Sequence, residues 1–94
     1  MNQVRGTLPK KPAHRIRELQ SWLQELGYEI SEGIAEISFS RPGRLESVLA
    51  EVTPLVEKAG WDVSRELYLE ETHPDLAGKS VYEGGRVLRL YPTH

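Results

Sequence analysis

From residue 43 to residue 59 the apolar side chains share one face of a helix: Leu45, Val48, Leu49, Val52, Leu55, Val56 and Ala59 recur at helical spacing. A stripe this wide has to be covered by a second apolar layer, so the chain must supply a sheet or another helix against it. Gly60 offers the left-handed residue that ends such a helix. Pro54 interrupts the pattern. It has no N–H for the carbonyl of Ala50, an interior loss of about 3 kcal/mol. A kink or a break is therefore expected between residues 50 and 54.

The covering layer is legible as alternation. Residues 3–8 set Val4 and Leu8 against Arg5 and Thr7, with Gly6 marking a bulge or a close backbone approach. Residues 34–39 set Ala35, Ile37 and Phe39 against Glu36 and Ser38. Residues 61–70 set Trp61, Val63, Arg65, Leu67 and Leu69 against Asp62, Ser64, Glu66, Tyr68 and Glu70. Gly84 and Gly85 suit a hairpin turn leading into a last strand at 86–91, which Pro92 closes. Residues 71–79 read as a loop. A second helix is expected over 13–26, where Ile16, Leu19, Leu23 and Leu26 form a stripe that Trp22 widens. Pro12 fits its first turn and Gly27 its end. The expected fold is a single α+β domain over residues 1–94. It is a two-layer sandwich in the order βαβαββ, with two helices packed on one face of a mixed four- to five-stranded sheet. The other face, rich in Ser, Glu, Arg and Tyr, would meet solvent or a partner.

Composition removes several function classes. The 94 residues include no cysteine, which excludes disulfides, thiolate metal sites and cysteine nucleophiles. No apolar run reaches the roughly 20 residues of a membrane span, and the N-terminus has no apolar signal core. A cytoplasmic location without membrane contact is expected. His14, His73 and His94 are not spaced as a zinc pair. A polar loop holding Glu70, Glu71, His73 and Asp75 is the remaining place where a cation could bind. There is no phosphate-binding glycine motif and no serine-triad signature, so neither cofactor nor catalytic residue is expected.

Charge is unevenly spread. Residues 1–17 carry Arg5, Lys10, Lys11, Arg15 and Arg17 and no acid, so they sum to +5, whereas residues 18–94 sum to −7. The segment RGTLPKKPAHR would gather Arg5, Lys10, Lys11, His14, Arg15 and Arg17 around the start of the first helix. Lysines there oppose the helix dipole, and a phosphate would offset them. That placement is the argument for RNA or DNA as an alternative partner. Against it stand a pI near 5.9 and few stacking aromatics.

The same segment resembles the SirA-like sulfur-carrier family. There a first strand runs into Gly-x-x-Cys-Pro-x-Pro ahead of the first helix, within the βαβαββ order also found in the C-terminal domain of translation initiation factor three. Here Gly6 and Pro12 keep the outer spacing, Pro42-Gly43 matches the turn before the second helix, and Pro54 matches a proline within it. Pro9 stands at the cysteine position and Lys10 at the next proline. The resemblance thus implies a carrier scaffold without the thiolate that carriage of sulfur requires. The leading expectation is a small non-catalytic interaction or regulatory module. It would bind a protein partner or form a homo-oligomer through a surface that includes Arg65, Tyr68, Arg89 and Tyr91.

Overall fold

The computed structural model describes residues 2–90. Nine elements follow one another: β1 (Gln3–Pro9), α1 (Ile16–Glu25), β2 (Glu29–Glu32), β3 (Glu36–Pro42), α2 (Leu45–Lys58), α3 (Val63–Glu66), β4 (Tyr68–His73), β5 (Gly78–Glu83) and β6 (Arg86–Leu90). The strands form one sheet in the order β2-β3-β1-β4-β5-β6, and each neighbouring pair is antiparallel. The α+β two-layer architecture is present. The sheet is not mixed, however, and it has six strands where four or five were expected.

Two of the corrections have local causes. Residues 61–70 are not one strand. Asp62 accepts hydrogen bonds from the Ser64 N–H at 3.0 Å and the Ser64 hydroxyl at 2.7 Å, while Glu66 accepts the Asp62 N–H at 3.1 Å. This reciprocal capping folds Val63–Glu66 into a helical turn, and the strand begins only at Tyr68. The added strand β2 pairs Ile30 with Phe39 and Ser31 with Ser38 across β3. Its alternation covers only four residues, fewer than a period-2 reading readily detects.

The helices differ in detail as well. α1 opens at Ile16, not at residue 13, because Lys11–His14 form a turn closed by His14 N–H on the Lys11 carbonyl at 3.0 Å. Pro12 is the second residue of that turn, where its fixed φ is favourable. α2 runs unbroken through Pro54. Both Ala50 and Pro54 are exposed, so water can reach the carbonyl that loses its N–H partner. The expected stops hold: Gly27 and Gly60 carry φ of 93° and 109°.

All helices pack on one face of the sheet. Leu19 and Leu23 of α1, Leu45, Val48, Val52 and Val56 of α2 and Val63 of α3 share one cluster with Val4, Leu8, Ile37, Phe39, Leu69 and Tyr82 from the strands. Fully burying a side chain of this size contributes about 1.5–3 kcal/mol. Gly6 sits at the centre of this face. A Cβ there would come within 2.7 Å of three atoms of the Phe39 ring, so the ring lies directly on the β1 backbone. The close approach anticipated at Gly6 is therefore present, made by an aromatic ring opposite it in register.

Gly6→Ala should lower the unfolding free energy by about 2–3 kcal/mol in chemical denaturation, the cost of overpacking a filled core. Combining it with Phe39→Leu should cost less than the sum of the two single changes, because the shorter side chain makes room for the methyl group.

Candidate functional site

The least expected feature is a polar cluster sealed inside the helix-facing side of the sheet. Alternation along β4 points Leu69, Glu71 and His73 inward and Glu70 and Thr72 outward, so the residues read as one acidic loop belong to two faces. Only residues 74–77, with Asp75, form the turn. The Glu71 side chain is 0% exposed. Its Oε1 accepts the Leu45 N–H at the start of α2 at 2.6 Å, and its Oε2 accepts from the Asn2 amide. Arg44 Nε approaches Oε2 at 3.4 Å and His73 Nδ1 at 3.3 Å. His73 Nε2 lies 3.0 Å from Ser80 Oγ, which Arg89 Nη1 also approaches at 3.4 Å, and the other end of Arg89 is held by Glu46.

Glu71, His73 and Ser80 thus stand in the acid–imidazole–hydroxyl order that activates a nucleophilic serine. Ser80, however, is fully buried under Arg89 and α2, so no acyl group can reach its oxygen in this arrangement. What the geometry does is mechanical. It joins the start of α2 to β4, β5 and β6 through charge-assisted hydrogen bonds. Among the described residues, no group of three or more His, Asp or Glu side chains is placed to hold a metal ion.

The basic segment gathers only in part at a helix start: Arg15 is the N-cap of α1 and Arg17 its second residue, while the lysines are held elsewhere. Lys10 Nζ donates to Glu32 at 2.8 Å and to the Gly33 carbonyl at 3.2 Å. Lys11 pairs with Glu66 at 2.8 Å, and Arg15 with Glu18 at 2.9 Å. His14 stacks on Trp61, with ring centroids 4.3 Å apart, and the Trp61 indole donates to the Pro9 carbonyl at 2.7 Å. Arg15 N–H bonds the Ala59 carbonyl at 2.9 Å. The segment is a strap laid between β2 and the α2–α3 junction, and each lysine has a carboxylate. The argument from the helix dipole falls away with the lysines' position, since Lys10 precedes and Lys11 opens the turn that delays α1. Lys11, with the Asp62 N–H, holds the Glu66 carboxyl below its usual range.

The outer face carries no helix among the described residues. Register places Arg5, Thr7, Glu29, Ser31, Glu36, Ser38, Ser40, Tyr68, Glu70, Thr72, Lys79, Val81 and Leu88 on it. Val81, though only 3% exposed, lies outside the main core, opposite Leu88. Arg5 and Glu70 are opposite each other yet lean apart. Arg5 donates to Ser38 Oγ at 3.3 Å, while Glu70 takes the Tyr68 hydroxyl at 3.3 Å and Lys79 at 3.4 Å. Partial burial, with the Glu70 charge, pushes the Tyr68 phenol above its ordinary range. A hollow of about 480 Å³ is lined by Arg5, Thr7, Glu36, Tyr68 and Glu70.

Of the residues expected on one partner surface, only Tyr68 is placed on this face. Arg89 points to the helix side of β6, Arg65 is exposed on α3 beside Asp62 at 3.8 Å, and Tyr91 lies outside the described residues, as does His94. Arg65 leaves the surface because its presumed strand is a helical turn. Glu36 and Glu70 were not singled out as lining a hollow with Arg5, although outward alternation in their strands carried that signal. No family model, curated protein or solved structure matches the chain.

Two measurements test these assignments. Glu71→Ala should cost about 3–5 kcal/mol of stability, since it leaves Arg44, His73 and the α2 N–H without their carboxylate. A fluorophosphonate should leave Ser80 unmodified in the folded protein, and labelling there would overturn its structural role. The Lys11–Glu66 pair makes a pH prediction. A carboxyl whose pKa is lowered on folding contributes stability above its unfolded pKa and loses it as pH falls through the folded one. Between pH 7 and pH 3 the wild type should therefore lose more stability than Lys11→Ala.

Proposed function

We propose that this chain is a small interaction module, without catalytic chemistry of its own, that engages a protein partner or a second copy through the outer face of its sheet. The observation that carries this is that face itself: six strands wide, covered by no helix among the described residues, with Arg5, Tyr68 and Glu70 around a hollow. A one-sided antiparallel sheet tolerates water on its second face, and it also offers that face as a flat, pre-formed platform. The fully buried Ser80 supports the non-catalytic part of the reading. No helix of the described residues is long and apolar enough to cross a membrane. A cytoplasmic location for the module is part of the same proposal.

Descent from a SirA-like carrier belongs to this proposal as the origin of the scaffold, with Pro9 in the place of the thiol. Nucleic acid is the competing partner. The ion pairs of Lys10 and Lys11 speak against it, as does the outer face, where Arg5, Lys79 and Arg86 are interspersed with Glu29, Glu36, Glu70 and Glu83.

A photo-crosslinking residue at Thr7 should give protein adducts in native extract, while the same residue at Ser47, on the exposed side of α2, should not. Adducts from Ser47 alone would sink the reading. In a parallel titration, single-stranded oligonucleotides should show no salt-linked binding. Binding that falls with log salt and weakens in Lys10→Ala and Lys11→Ala would favour nucleic acid instead.

A further inference from the structure

Resting on the reading of the outer face as an interaction surface, we propose that its occupant is a second copy of this chain, packed face to face across a two-fold axis with Arg5 of each copy on Glu36 of the other. The two residues line one hollow, on neighbouring strands, and are of opposite charge. Neither has an ion-pair partner among the described residues. Arg5 reaches only the Ser38 hydroxyl at 3.3 Å. Beside them in the hollow, Glu70 is already held by Lys79 and Tyr68. Within the hollow, one cation and one anion are therefore left with unused bonding capacity.

A two-fold interface makes residue i meet residue j and residue j meet residue i. A second copy therefore presents a carboxylate and a guanidinium at the spacing that Arg5 and Glu36 require, in reversed order. One rotation forms both ion pairs. The hydroxyls of Thr7 and Ser40 supply further donors and acceptors beside them, and the exposed Leu88 and Leu90 add apolar surface on the same face. Area sets the strength. Six strands about 4.8 Å apart and about 17 Å long offer on the order of 400 Å² of flat face per copy, below the roughly 800 Å² per partner of a standard interface. The dimer is accordingly weak and reversible, and salt weakens it further.

Sedimentation equilibrium of the full chain tests this. The wild type should show a monomer–dimer equilibrium that shifts to monomer as salt rises. Arg5→Glu and Glu36→Arg, each alone, should weaken dimerisation at least tenfold, because like charges then meet twice. An equimolar mixture of the two variants should recover dimer, since the mixed pair restores opposite charges at both contacts. That recovery also shows that both variants are folded. A wild type that stays monomeric up to millimolar concentration, or a dimer indifferent to both charge reversals, overturns the proposal. Adducts from Thr7 to a different protein, with a monomeric wild type, would leave the interaction reading intact and remove self-association alone.

Discussion

A carboxylate with no exposure to water, Glu71, ties together by directed bonds segments that an apolar residue could only pack against. Its two oxygens take the first N–H of α2, the Asn2 amide and the approach of Arg44 and His73. From His73 the chain of contacts continues to Ser80 in β5, to Arg89 in β6 and back to Glu46 in α2. Removing an ion from water is costly, and the cost is recovered only when several directed bonds converge on it. That requirement fixes where α2 begins relative to β4, and so which face of the sheet the helical layer covers. The exposed outer face is the complement of that choice.

How much of this the sequence discloses depends on whether a signal is periodic or pairwise. The stripe from Leu45 to Ala59, the glycine stops and the Gly84-Gly85 hairpin are local patterns, and each is found where the sequence places it. Trp61 and Val63 are buried as expected, yet the strand assigned to them is wrong, because alternating apolar residues fit a short helical turn as well once Asp62 caps it. Lys10 and Lys11 look idle in sequence. Their acids, Glu32 and Glu66, lie in other elements, and nothing short of tertiary structure brings them together.

The candidate sites were less legible still. YLEETH carries the alternation that sends Glu71 and His73 inward, but composition argues that a glutamate stays in water. Only the convergence of Asn2, Arg44 and the α2 N–H reverses that preference. On the outer face, Arg5 was grouped with the basic strap by position along the chain. Across the sheet it belongs with Glu36, Tyr68 and Glu70 around one hollow, a relation of register between β1, β3 and β4.

The place of β1 has a consequence for assembly. The strand made from residues 3–9 lies in the middle of the sheet, with β2 and β3 on one side and β4, β5 and β6 on the other. It is the seam between two units that are otherwise each continuous in sequence, one built from residues 16–42 and one from the meander after residue 67. A chain lacking the seam would hold two separate hairpin-like sheets, each with an added raw edge. A growing chain must keep its first strand waiting, paired on one side by β3, until β4 arrives from the far end. In that interval the half-paired edge of β1 is open to any extended segment, its own successor or a neighbour's.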